Sequence, residues 1–383
     1  MDFVDPIVVA LLMAGLWYLL VHAALVVGLL RRYAGVPGCP PAAVSVVVAA
    51  RNEEATIGLL LDCLRRQTYP HTEFILVNDR SADGTGRIIA EACAQDARFK
   101  QIDIRDTPTD MPAKKNALRR GIEASSGSIL CFTDADCLPG PRWVEKLVRQ
   151  FDERTGLVAG YSPYLEEAHP GVRPTAGLLR ALLYRFIAYE ELRGGLWAAG
   201  SIGLGLGWLC TGRNLAYRRE VYDAVGGFER IKMSVSGDDD LFLQLVRRET
   251  PWRVRYCLDR ENHVPTYPPT TFRRFVEQRT RHFSAGKFFS LAQKAFFLLY
   301  HSANLLLLAS LFFFIFWPAG SKGMLVGFGL KLVADIFLLV VGADLFHQSR
   351  LGMQFLPMEF LYVLYNTLIG PLGFVKRFQW KPV

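Results

Sequence analysis

The sequence predicts an α/β fold, a mostly parallel sheet covered by helices, flanked at both ends by apolar helices of membrane-spanning length. Strand candidates at Val44–Ala49, Glu73–Val77, Lys100–Ile104 and Ser128–Thr133 alternate with helical spacing at Ala55–Gln67, Gly86–Asp96 and Lys114–Ser125. That alternation is the signature of a parallel sheet buried on both faces. Polar residues recur where the strands end, at Asn52, Asp79 and Asp134, and open α/β sheets bind ligands outside the carboxyl ends of their strands. Apolar residues gather at the two ends of the chain and leave a charged middle.

The 383 residues are 51% hydrophobic with a mean hydropathy of +0.19, high for a purely soluble protein. Pro6–Leu30 contains no Lys, Arg, Asp or Glu and is long enough to cross a bilayer core. It exceeds a secretory h-region and no positive residue precedes it, so an uncleaved anchor is expected. Asp2 and Asp5 before it and Arg31-Arg32 after it place the next domain in the cytoplasm by the positive-inside tendency. Further spans are expected at Ala295–Trp317, at Met324–Phe346 (interrupted by Lys331, Asp335 and Asp344) and at Gln354–Val375 (with Glu359, Pro357, Asn366 and Pro371). Such intramembrane charges either line a cavity or pair between helices. Four crossings would leave Lys376, Arg377 and Lys381 on the outer side, against the charge bias. Either one segment lies in the interface or re-enters, or that cluster is overridden. The expected organisation is an anchor at 1–35, a cytoplasmic domain at 36–290 and a transmembrane region at 291–383, in the cell's inner membrane.

The net charge of +8 comes largely from Arg273, Arg274, Arg279, Arg281, Lys287 and Lys294 ahead of the second span. Basic residues there suit anionic lipid headgroups, and no nucleic-acid module accompanies them, so no nucleic-acid partner is expected. Seven cysteines without Cys-x-x-Cys spacing read as reduced core residues, not a disulfide framework or zinc site.

The chemistry is carried first by Asp134-Ala135-Asp136. Carboxylates at i and i+2 at a strand end can converge on one hard cation, Mg or Mn, held together with a diphosphate; the same tripeptide also caps turns. The other motifs run in order: Ala49-Ala50-Arg51-Asn52-Glu53-Glu54, Val77-Asn78-Asp79-Arg80-Ser81-Ala82-Asp83-Gly84-Thr85 and Lys114-Lys115-Asn116-Ala117-Leu118, then Thr211-Gly212-Arg213-Asn214-Leu215-Ala216-Tyr217-Arg218, Gly237-Asp238-Asp239-Asp240-Leu241 and Gln278-Arg279-Thr280-Arg281-His282. Taken together from Val44 to Gly286, this series resembles the family-2 glycosyltransferases, inverting enzymes of the GT-A (Rossmann-like) fold with membrane-bound members.

The resemblance implies roles. Glu53 and Asp79 match positions that hold the nucleoside, where a carboxylate accepts from a pyrimidine N–H or ribose hydroxyls; Glu53-Glu54 also suits the start of a helix, and Asp83 reads as a helix cap. Lys114 matches a lysine near the donor phosphates, a solvated helix start being the alternative. Asp136 matches the direct metal ligand and Asp134 its partner, the cation offsetting charge on the departing nucleoside diphosphate. Aligning Asp240-Leu241 with the family's acidic motif puts the general base on Asp238, with Asp239 as runner-up. Three adjacent carboxylates also fit an exposed cap, and their repulsion raises at least one pKa. The last motif resembles the family's Gln-x-x-Arg-Trp, which assigns Gln278, Arg281 and His282 to substrate. Arg281 suits a diphosphate. His282 stands where processive synthases carry an acceptor-site Trp, which favours single additions; it stacks on an acceptor, contacts phosphate or packs beside the membrane. His263 either approaches the metal or is structural.

The expected function is therefore inverting, metal-dependent transfer from a nucleotide-diphosphate sugar to a hydroxyl of a lipid or other hydrophobic acceptor. A processive polysaccharide synthase and a catalytically silent membrane scaffold that binds nucleotide sugar are the competing readings. A nucleotidyltransferase would share sheet and metal but not the acceptor and Gln-x-x-Arg elements. The lipid preference rests on the C-terminal helices, the basic residues and the apolar Gly194–Gly212 run beside Thr211–Arg218, read as a loop or broken helix at the membrane surface after a helix at Thr175–Leu192.

Overall fold

The computed structural model describes residues 6–31, 42–106, 110–171, 177–316 and 321–375. Asp2, Asp5, Arg32, the Val36–Pro41 linker, Trp317 and the Lys376, Arg377 and Lys381 cluster lie outside them.

Seven strands form one sheet: β1 (Val44–Ala50), β2 (Thr72–Asp79), β3 (Phe99–Ile104), β4 (Ile129–Phe132), β5 (Thr155–Gly160), β6 (Leu215–Arg218) and β7 (Arg253–Cys257). Their order is β3-β2-β1-β4-β6-β5-β7. The β3-β2-β1-β4 half is parallel, β6 runs antiparallel to both β4 and β5, and β7 is parallel to β5. β1 is buried at every position because alternate side chains enter two layers: Val46 and Val48 meet the helix Ile57–Arg65 side, Val47 and Ala49 the Ala113–Glu123 side. Ala50 pairs with Asn78, and Val47 with Phe132, so the carboxyl ends of β2, β1 and β4 open on one rim. Leu215–Arg218 was expected as part of an acceptor motif, not as a strand. Four residues are too few to display a period, and the strand is made by its pairing with β4 and β5. It brings residues 211–214 to the β4 rim.

A second difference concerns the Gly-rich run. The helix Leu178–Gly203 is continuous for 26 residues, so Gly194–Gly203 is helical and only the stretch after it unwinds. The glycines serve close packing. A Cβ on Gly28 would overlap the Gly200 carbonyl oxygen, and one on Gly203 would overlap that of Gly28, so this helix meets the N-terminal helix Pro6–Leu30 backbone to backbone, as small residues allow in membranes. Arg31 donates from Nη1 to the Gly203 carbonyl at 3.3 Å, a cation at a helix C-terminus. Gly28→Leu should therefore destabilise the protein by about 1–3 kcal/mol through overpacking. Gly58→Ala, where an added Cβ meets nothing within 4 Å, should be neutral or stabilising; thermal unfolding in detergent compares the two.

Among the described residues four helices are long and apolar enough to cross a membrane: Pro6–Leu30, Leu291–Leu311, Gly323–Leu345 and Phe355–Val375. Met13, Leu20, Leu298 and Val340 are exposed on their outer faces. The second leads away from the sheet and the third returns to it, where Phe346 packs edge-on against Tyr161 at 4.8 Å. The fourth does not leave again. At its start Gly352 lies against Ala343, and at its end Phe374 lies against Gly286. Between them Tyr365 packs on Phe186 and Phe275, each at 5.6 Å. Both ends thus sit on the sheet side of the helices. Of the charges expected inside the spans, Lys331, Asp335 and Glu359 pair between helices, whereas Asp344 is exposed. Asp335 contacts Lys331 at 2.5 Å, Arg193 at 3.1 Å, His22 at 3.2 Å and the Tyr18 hydroxyl at 2.8 Å. Glu359 contacts Lys331 at 3.0 Å and accepts from Tyr189 at 2.8 Å.

Candidate active site

Beyond β4 the chain alternates: Ala135 and Cys137 are buried, whereas Asp134 and Asp136 are half-buried and emerge on the same side. The turn is fixed by the Cys137 N–H donating to the Asp134 carbonyl at 3.2 Å and by a Cys137–Thr266 bridge. Lys114, in the first turn of the helix Ala113–Glu123, places Nζ 3.0 Å from Asp134 and 3.2 Å from Asp238. Burial opposes its charge, but those carboxylates outweigh it and hold the ammonium well above the usual lysine range.

Asp238, Asp239 and Asp240 enter the helix Asp240–Glu249 through Gly237, whose φ of +86° suits glycine. Lys115, fully buried, donates to the carbonyls of Ser234 at 2.5 Å and Ser236 at 2.8 Å and pins this segment. Its own pKa is pushed down to about 8 by burial, against the pull of Asp238 and Asp239. The three carboxylates have separate duties. Asp239 accepts from the Asp240 N–H at 2.8 Å with one oxygen and from the Gly212 N–H at 3.0 Å with the other. Asp240 accepts from the Cys210 N–H at 2.8 Å. Asp238 faces Lys114. Burial would raise Asp238, but Lys114 and Lys115 outweigh it and hold the carboxyl below its ordinary range. Burial and the neighbouring aspartates push Asp239 and Asp240 up, as their adjacency predicted.

At the β1 and β2 ends two non-glycine residues are left-handed, Asn52 (φ 52°) and Arg80 (φ 54°), a local strain that clusters at functional sites. Asp79 is fully buried and receives Arg80 Nε at 2.8 Å and Nη2 at 3.1 Å. Glu53 meets the same loop through its N–H, donated to Thr85 Oγ1 at 2.8 Å, while its carboxylate accepts from Thr56 at 3.0 Å at a helix start. Asp83, expected as a helix cap, accepts from the Thr85 N–H at 3.0 Å and the Glu54 N–H at 3.1 Å, while the N-cap position of the helix Thr85–Gln95 is Gly84.

Between the Leu178–Gly203 helix, the helix Phe272–Phe283 and the returning Phe355–Val375 segment runs a groove of about 830 Å³. Asp239, Asp240, Arg213 and His282 line it together with the apolar Phe289, Leu298, Phe374 and Val375. In its throat Arg213 donates to Glu191 at 2.8 Å, and Arg279 contacts Glu191 at 3.2 Å and also Glu190. Burial, helped by Glu191 and opposed by Arg279, pushes Glu190 up to about 7; burial acts likewise on Glu191, but Arg213 and Arg279 prevail and hold it low. Arg281 and His282 touch through Nη2 and Nε2 at 3.2 Å. The imidazole lines the groove and is exposed there, and the guanidiniums of Arg281 and Arg279 beside it disfavour its protonated form. Gln278 accepts from the Tyr164 hydroxyl at 3.5 Å. His263 packs on Tyr161 at 5.3 Å and lies 6.1 Å from His347, toward the helices.

The rim thus gathers Lys114, Asp134 and Asp238 in direct contact, with Asp239 adjoining. Residues 45–226 match the family model described as glycosyl transferase family 2. The chain carries a family-2 glycosyltransferase domain. It is similar to the probable glycosyltransferase YdaM of Bacillus subtilis, 27% identical over 333 residues, covering 82% of this chain and 69% of that protein. It is 38% identical over 116 residues to the putative glycosyltransferase EpsH of the same organism, which covers 30% of this chain and 32% of that one. Among solved structures the mannosyltransferase PcManGT of Pyrobaculum calidifontis, in complex with GDP-Man and Mn2+, is similar in fold: TM-score 0.54, 18% identity, 95% of this chain and 98% of that chain covered. The sheet is that of the GT-A fold.

Among the described residues of this glycosyltransferase no group of three or more His, Cys, Asp or Glu side chains is arranged to hold a metal. Asp134 and Asp136 nonetheless fit one. Small hard cations use one or two carboxylates and take their other ligands from substrate phosphates and water. The motif reading gave no roles to Lys115, Glu190, Glu191 and Arg213, and Arg279, expected among the basic residues for lipid headgroups, is instead buried against Glu190 and Glu191. Their signal was charge embedded in apolar sequence, as in Ala188-Tyr189-Glu190-Glu191-Leu192, which marks buried pairing but not the partner.

Proposed function

We propose that this glycosyltransferase moves a sugar, with inversion, from a nucleotide-diphosphate sugar to a hydroxyl of a membrane lipid, one sugar at a time. The observation that carries this reading is the Lys114 ammonium shared by Asp134 and Asp238 beside a groove that runs in among the apolar helices. The donor and acceptor halves of the reaction meet there.

The nucleoside lies over the β1 and β2 ends, against Glu53 and Asp79. Lys114 and Arg281 pair with diphosphate oxygens, and Gln278 and His282 line the approach. Asp136 and Asp134 would hold the divalent cation, which when bound supplies charge neutralisation at the leaving group. Asp238 is the better base of the two candidates, since both Asp239 oxygens are committed to backbone N–H groups. When Lys114 turns to the donor phosphates, Asp238 is released to accept the acceptor's hydroxyl proton. The acceptor oxygen bonds to the anomeric carbon as the bond from that carbon to phosphate oxygen breaks. The nucleoside diphosphate leaves with the electron pair, and in-line displacement inverts the centre. His282 in place of Trp favours single additions. The reading divides the chain near residues 35 and 290, with the catalytic domain at the cytoplasmic face of the inner membrane.

The test is purified full-length protein in vesicles of total membrane lipid with labelled nucleotide sugars, the product analysed by mass spectrometry. Single-sugar glycolipid is expected. Long polymer would indicate a processive synthase, nucleotide transfer a nucleotidyltransferase, and donor binding without turnover a silent scaffold. Chelation should abolish turnover and Mn or Mg restore it. Asp136→Ala should raise the metal concentration needed for half-maximal rate by at least about tenfold, as loss of a direct ligand implies.

A further inference from the structure

The groove's charges discriminate among lipids in a way its apolar length does not. Leu298, Leu305, Phe374 and Val375 line it, all of them exposed, so the groove opens onto the exposed apolar surface of the helices. Asp239 and Asp240 line it as well. Among the described residues four carboxyl groups line it (Glu190, Glu191, Asp239 and Asp240) against three cationic side chains (Arg213, Arg279 and Lys294). The two guanidiniums in the throat are already committed. Arg213 pairs with Glu191, and Arg279 with both Glu190 and Glu191; both arginines are buried. The third cation, Lys294, is exposed at the lip. A phosphate-bearing headgroup in this throat would have to displace a buried carboxylate from a buried guanidinium and then lie among the others, an exchange that leaves a carboxylate buried and unpaired.

We infer that the lipid drawn into this groove is an electrically neutral one with a free hydroxyl headgroup, not a lipid phosphate. This rests on the reading of the groove as the acceptor site. The throat supplies what a hydroxyl headgroup needs: Glu190, Tyr365 and Asn366 as hydrogen-bonding groups in its wall, with a hydroxyl of Tyr365 already 3.3 Å from Glu190. The groove also reaches Asp239, the chain neighbour of Asp238, whose side chain lines the Lys114–Asp134 rim. A neutral hydroxyl must lose a proton as it attacks and so requires such a base, whereas a phosphate monoester is largely ionised near neutrality. The carboxyl of Glu190, perturbed toward neutrality, is able to donate as well as accept at this point.

Full-length protein is reconstituted in phosphatidylcholine vesicles containing equal mole fractions of diacylglycerol and polyprenyl monophosphate. After gentle extraction, native mass spectrometry reads which lipid is retained, without donor sugar. At least tenfold more diacylglycerol than polyprenyl phosphate is expected. Equal or greater retention of the phosphate lipid overturns the inference, and so does retention of neither. Glu190→Gln combined with Glu191→Gln uncovers both arginines and should move the ratio at least tenfold toward the phosphate lipid; an unchanged ratio in that folded variant also overturns it. Turnover is measured separately. Diacylglycerol retained but never glycosylated with any donor would sink the proposed function and leave this selectivity standing.

Discussion

Asp238→Asn lowers turnover by about 10²–10⁴-fold, the range for loss of a general base, while nucleotide-sugar binding changes only a few-fold. Lys114 keeps its contact with Asp134 in this variant, so the donor side is preserved. Single-turnover rates and donor titration separate the two effects. The pH profile distinguishes the neighbouring carboxylates. A base must be deprotonated, so the rate falls as pH drops through its pKa. Asp238 is held below the ordinary aspartate range, so with Asp238 as base kcat/KM stays flat down through mildly acidic pH. Asp239 is raised and as base would give an acid limb above that range. Asp239→Asn is expected to act mainly on stability, at about 0.5–2 kcal/mol for a weakened cap. A large rate loss in Asp239→Asn with Asp238→Asn near normal would reverse the assignment.

The second large effect concerns the charges between the helices. Arg193→Met should destabilise the protein by about 3–5 kcal/mol, because Asp335 and Glu359 then share one cation in a buried setting. Arg193, Lys331 and Asp335 are at most 1% exposed, and the side chain of Glu359 is 6% exposed, so water does not make up the loss. The double variant Arg193→Met with Asp335→Asn leaves the Lys331–Glu359 pair at 3.0 Å and should recover much of the stability. Unfolding in detergent or nanodiscs is the measurement. A single variant within about 0.5 kcal/mol of wild type, the range of ordinary surface changes, would mean that the network does not hold the helices.

The parallel half of the sheet was legible because continuously apolar strands end in polar residues, and Asn52, Asp79 and Asp134 do stand on one rim. The Lys114–Asp134–Asp238 contact was implied only as roles in a family, since more than a hundred residues separate Asp238 from the other two. The Gly194–Gly203 stretch was misread because glycine is a poor helix former in water, whereas here it permits backbone contact with Gly28. Glu190 and Glu191 were passed over because a carboxylate's partner depends on tertiary packing: Arg213 and Arg279 arrive from β6's approach and from the helix before the second span. The returning Phe355–Val375 segment has the hydropathy of a span, and only its end contacts with Ala343 and Gly286 distinguish it from one.

That returning segment has a directional consequence. On the proposed function, a groove closed on the sheet side would sample a single leaflet, the one on the side of the catalytic domain. Under that function a glycolipid made there would be released into the monolayer that supplied its precursor. Display of its sugar on the opposite surface then requires a separate translocation step by another protein.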